Sequence, residues 1–82
     1  MTNEQIEKFL SKNLFKSPVK IHFKTRNALT GLFIQTPDYQ DLKSKNFWRI
    51  VVGDNMNNWM KKPDNNLARI FSGSEITKLS EA

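Results

Sequence analysis

Cysteine is absent from the 82 residues, and histidine and tyrosine occur once each. Without thiols there is no disulfide, no thiolate metal site and no cysteine nucleophile. The single histidine, His22, has no second imidazole at ligand spacing. No Asp-x-Asp pair or glycine-rich phosphate loop is found, and Asp38 with Asp41 flank a turn instead of forming a carboxylate dyad. The sequence therefore predicts a protein that is not an enzyme and carries no cofactor, no metal and no small-molecule substrate. Glycine and proline number three each, which argues against a low-complexity or collagenous chain. No apolar run approaches the roughly 20 residues that a bilayer span needs, and the first residues lack a basic-then-apolar leader order, so a cytoplasmic chain with no membrane partner is expected.

Acidic residues are also in short supply. Eight Asp and Glu face thirteen Lys and Arg, for a formal charge of +5. The imbalance is concentrated: from Lys8 to Arg26 there are six cations and no anion. At 38% hydrophobic and 11% aromatic residues the chain is too apolar for disorder. A length of 82 residues sets one domain, residues 1–82, that buries only about 60–65% of its unfolded surface, so self-association is a cheap way to bury more.

The order of elements can be read from periodicity. In the segment 2–14, Thr2 and Gln5 have capping-box spacing, and Ile6, Phe9, Leu10 and Leu14 follow a helical rhythm that Pro18 closes. From Val19 the period becomes two, with Val19, Ile21 and Phe23 alternating with Lys20, His22 and Lys24. Thr25-Arg26-Asn27 reads as a turn and the run 29–35 as a strand, in which Gly31 marks bending or close backbone approach. The polar segment 39–46 reads as a loop or short extended stretch. Phe47 to Val52 is the most strand-like run, with Trp48, Ile50 and Val52 on one side. The segment 56–66 has no clear period, and the runs 67–71 and 76–79 read as two last strands around the turn Ser72-Gly73-Ser74-Glu75. One helix and five short strands in so few residues predict a mainly β, small α+β fold, a strongly bent five-stranded antiparallel barrel (residues 18–80) capped by an N-terminal helix (residues 1–16).

The helix leading through Pro18 into Val19-Lys20-Ile21-His22-Phe23, with Leu29-Thr30-Gly31 following without a gap, resembles the first motif of the Sm-like fold family. The run from Ala68 to Leu79 is similar to that family's second motif. Within the family the chain looks closest to the bacterial Hfq-like RNA chaperones. The resemblance implies a homo-oligomeric ring in which the fourth strand of one subunit pairs with the fifth of its neighbour, which places Leu67, Arg69, Phe71, Ile76 and Leu79 at the subunit interface. It also implies single-stranded RNA as partner, with His22 standing where Hfq has a base-stacking tyrosine. Two stretches depart from the Hfq pattern. Thr36-Pro37-Asp38 replaces Phe-Asp-Gln, and Phe71-Ser72-Gly73 occupies the region of the pore-lining Tyr-Lys-His.

Read from the residues themselves, Lys20, His22, Lys24 and Arg26 form a basic row on the first strand and its turn, suited to a phosphate backbone. Lys8, Lys12 and Lys16 offer a second set of cations on the helix. Trp48 is expected in the core. Trp59, beside Met60, is either a flap packed on the barrel or a surface that binds another protein; that second role defines the competing reading, a non-catalytic scaffold module without RNA binding. The asparagines 55, 57, 58, 65 and 66 are expected to serve turns.

Overall fold

The computed structural model describes residues 1–12 and 17–82. Helix α1 (Asn3–Leu10) starts on the expected capping box: the Gln5 amide donates to the Thr2 hydroxyl, and the Thr2 amide donates to the Gln5 side chain. Its apolar stripe buries Ile6 and Leu10 completely. The described helix is thus shorter than the predicted segment, and the readings at Asn13, Leu14 and Lys16 fall outside the described residues.

Five antiparallel strands follow: β1 (Val19–Phe23), β2 (Leu29–Phe33), β3 (Phe47–Val52), β4 (Arg69–Ser72) and β5 (Ile76–Glu81), in the spatial order β4-β3-β2-β1-β5. β3 matches its predicted bounds. β4 begins two residues later than predicted, because Leu67 is taken into a 3₁₀ turn (Asn65–Leu67).

Two helices were not foreseen. The segment predicted as loop or extended chain contains α2 (Tyr39–Ser44), and the unplaced segment contains α3 (Asn55–Lys61). α3 uses the i, i+3 apolar pair Met56 and Trp59 to cover sheet, and α2 packs Tyr39 on the core, patterns too short to register as periodicity in six or seven residues. Helix and strand contents are consequently about equal, so the small α+β fold holds more helix than its mainly β reading expects.

The order of the sheet puts β4 and β5 at opposite edges. Laid flat, five strands would separate those edges by about 19 Å, four spacings of nearly 5 Å. Yet only the 3₁₀ turn Gly73–Glu75 joins them, and such a turn rises about 2 Å per residue. The sheet must therefore curl until its edges approach, and the ring centroids of Phe23 on β1 and Phe71 on β4 lie 5.6 Å apart across the seam. The ladder does not close there: β4 pairs only with β3, and β5 only with β1, among the described residues. The expected strong bend is present; a closed barrel is not.

Curling defines an inner face. Val19, Ile21, Phe33, Trp48, Ile50, Ile76 and Leu79 converge there with Ile6 and Leu10 of α1. Trp48 is 2% exposed, as expected of a core residue, and Phe33 and Tyr39 meet it edge-on with centroids 6.0 Å away. Gly31 is required by this packing, since a Cβ there would lie 2.7 Å from Ile50 Cγ2 and 3.0 Å from the Val51 carbonyl oxygen. A smaller cluster, Leu32, Ile34 and Val51, lies on the outer face beneath Met56, Trp59 and Ala68. No helix among the described residues is long and apolar enough to cross a membrane.

Candidate nucleic-acid interface

The alternation of β1 fixes which side chains reach the outer face. Val19 and Ile21 point into the core, so Lys20 and His22 point away from it. Residues directly opposite in an antiparallel pair share a face, with Cβ atoms about 5 Å apart. Lys20 stands opposite Thr30 on β2 and Ser80 on β5, and His22 stands opposite Lys78. The outer face over β2, β1 and β5 is thereby a polar strip of Lys20, His22, Lys78, Thr30 and Ser80, and among the described residues no helix covers it. Lys20 and Lys78 are exposed, and His22 is half-buried. The Thr77 hydroxyl donates to the His22 carbonyl at 3.2 Å and fastens β5 to this part of β1.

Lys78 was not among the residues picked from sequence. It belongs to the site only because β5 lies beside β1, a pairing between residues more than 50 positions apart. No local pattern carries that information.

Arg26, by contrast, leaves the predicted row. A bend over residues 24–26 carries it to the seam, still exposed, where its guanidinium carbon sits 5.4 Å from the Phe23 ring centroid and 5.8 Å from that of Phe71, within cation–π range of both. There it forms one wall of a cleft of about 460 Å³ at the seam, lined also by Thr25, Ile70, Ser72 and Glu75. The Lys24 amide donates to the Glu75 carbonyl at 3.0 Å, so the end of the basic row is tied to the mouth of this cleft.

The helix cations are apart from both. Lys8 and Lys12 are exposed on the side of α1 away from the core, beside Phe9 and Gln5, while the basic strip lies on the opposite face of the sheet. They do not extend the β1 row.

Trp59 packs on Leu32, Ile34 and Val51, which is the flap arrangement, and its Nε1 is buried without a hydrogen-bond partner among the described residues. Met60 is 66% exposed. Of the five residues assigned to a subunit interface, Ile76 and Leu79 spend their side chains in the core and Phe71 lies half-buried against Phe23. Leu67 is half-buried in its turn, and Arg69 alone is exposed. What β4 and β5 offer a neighbour is therefore their backbone edges, with Ile70 exposed on β4.

A second cleft, of about 350 Å³, lies among Thr36, Pro37, Asp38, Arg49, Asn65 and Asn66. Its charges are already paired. The Arg49 guanidinium donates to both Asp38 carboxylate oxygens, at 2.8 and 3.3 Å, and the Thr36 hydroxyl donates to the same carboxylate. These hydrogen bonds, Arg49 first, hold the Asp38 carboxyl at about 2 and raise the guanidinium of Arg49 above its ordinary value. The Lys43 ammonium is likewise raised by its hydrogen bond to Glu7, which ties α2 to α1. These pairs are structural braces between elements, and the strip has no such pair among the described residues. No cluster of three His, Asp or Glu able to hold a metal is found among the described residues.

No family model, curated protein or solved structure matches the chain.

Proposed function

We propose that this protein binds single-stranded RNA through the outer-face strip and the bend that follows it, with Lys20, Lys78 and, in the bend, Lys24 on phosphates and His22 available to stack on a base. The observation that carries this reading is the register of β1 against β5, which sets Lys78 beside His22 and Lys20 on an uncovered face without a neutralising carboxylate among its side chains. A phosphate backbone is the polymer that such a line of like charges favours, because each contact releases condensed counterions. A half-buried imidazole and the hydroxyls of Thr30 and Ser80 between the cations suit an unpaired strand better than a duplex, whose bases are not available for stacking.

The reading includes the Sm-like architecture and the ring that goes with it. Strand order, the curled sheet and the N-terminal helix support the first. The second is supported by two unpaired edges, β4 and β5, brought to neighbouring positions by the turn Gly73–Glu75. Unpaired edges invite pairing with another strand, and a head-to-tail contact of β4 with a neighbour's β5 would repeat until a circle closes. Repetition would arrange the strips of successive subunits in an annulus.

A fluorescence-anisotropy titration with short A-rich and U-rich RNAs at two salt concentrations, with the mass measured on the same sample, tests both parts. Salt-weakened binding by a species several subunits in mass is the expected result. Charge reversal at Lys20 and Lys24 should abolish binding while Trp59→Ala leaves it in place; the opposite pattern would favour the scaffold reading, with α3 as the contact surface.

A further inference from the structure

The seam cleft contains chemistry that a row of lysines does not. The Arg26 guanidinium, within reach of two phenyl rings, forms part of its lining, and Glu75, Thr25 and Ser72 line it as well. Glu75 and Arg26 are both exposed at the mouth, and neither is in an ion pair among the described residues. At about 460 Å³ the cleft is within the range that holds small planar ligands. A phosphate alone is a poor occupant, since the carboxylate would repel it and the rings would be wasted on it. A flat heterocycle uses every wall.

We infer that the cleft takes one base of the bound strand, and that guanine is the base it prefers. The inference rests on the RNA reading above and adds a specificity to it. Unpaired bases in RNA sites stack on aromatic rings or on guanidinium planes and present their pairing edge to hydrogen-bonding groups. A carboxylate has acceptors only. Guanine alone among the four bases presents two adjacent N–H donors on that edge, N1–H and N2–H, which match the two oxygens of Glu75. Adenine and cytosine present one donor beside an acceptor nitrogen, and uracil turns a carbonyl oxygen toward the carboxylate on either side of its single N–H. The same group that attracts guanine thus rejects the others by an unmatched acceptor. Lys24, tied through its amide to Glu75, brings the phosphate-binding row to the mouth of the cleft, so a strand on the row needs only to turn one base inward.

The test compares short uridine strands that carry one central guanosine, adenosine, cytidine or uridine, titrated against the full-length protein. The guanosine strand should bind about tenfold more tightly than the uridine strand, the scale of a good two-bond contact. Glu75→Gln keeps the side chain's shape and leaves its backbone carbonyl in place, and should reduce that preference to about twofold or less. Arg26→Ala should weaken the guanosine strand about tenfold through lost stacking and the uridine strand much less, and it reads the cleft independently should the first variant fold poorly. Equal affinity for all four strands, or a guanosine preference that survives Glu75→Gln, overturns the assignment. Salt-dependent but base-indifferent binding would remove the guanine site and leave the RNA-binding strip standing, whereas absence of binding to every strand would remove both.

Discussion

The two faces of the sheet are built from alternate residues of the same strands, yet they have different uses. The inner face is dry and complete: α1 and α2 close it, and seven of its side chains are buried together with Ile6 and Leu10 of α1. On the outer face, among the described residues, α3 covers the β2–β3 half, while the β1–β5 half is open and basic. The difference teaches where function can be placed. A substitution on the inner face changes folding first, whereas one on the open half of the outer face can change binding with the fold intact.

The largest effect that would sharpen this contrast is expected at Trp48. Its ring fills the inner core and its Nε1 donates to the Asn46 side chain at 2.9 Å, so Trp48→Ala should cost about 3–5 kcal/mol, the usual range for a buried large aromatic. Chemical denaturation measures this. The covered half of the outer face should be more tolerant. Trp59→Ala removes half-buried surface and should cost about 2 kcal/mol. Trp59→Phe removes an unpaired buried N–H along with some packing and should change stability by less than about 1 kcal/mol. Equal losses at Trp48 and Trp59 would break the distinction between the faces.

Gly73→Ala tests the joint between the curled edges. A Cβ there would lie 2.1 Å from Asn46 Oδ1, and Asn46 cannot swing away freely because it also bonds Trp48 and the Met1 carbonyl. A loss of about 1–3 kcal/mol is expected. A smaller, pH-dependent effect belongs to Asp38. Its folded carboxyl is held at about 2, below the unfolded value of 3.8, so its contribution is fully present above pH 4 and is lost as pH falls toward 2. Asp38→Asn should remove that part of the acid-side slope of stability and leave neutral-pH RNA binding unchanged.

Much of the fold was legible before the structure. The capping box of Thr2 and Gln5, the period-two run of β1 and the apolar alternation of β3 are local signals strong enough to survive folding unchanged. The short helices were missed for a physical reason. α2 begins at Asp38, whose carboxylate is spent on Arg49 and Thr36 and makes no cap bond, and it ends on Asn46 in the left-handed conformation. Asparagine at such a helix end was the one usable clue. The candidate site was half legible: Lys20, His22 and Lys24 follow from alternation, but Lys78 enters through a long-range pairing, and Arg26 departs through a bend that no propensity scale encodes.

The central claim is that the uncovered half of the outer face holds a phosphate backbone, and the salt dependence of RNA affinity tests it most directly. Three lysine contacts, from Lys20, Lys24 and Lys78, correspond to a slope of about −2 for log affinity against log salt on a single strand. The double variant Lys20→Gln, Lys78→Gln should retain the wild-type unfolding midpoint, weaken binding, and reduce the slope to about −0.7. A variant that binds RNA with the wild-type affinity and slope would contradict the account.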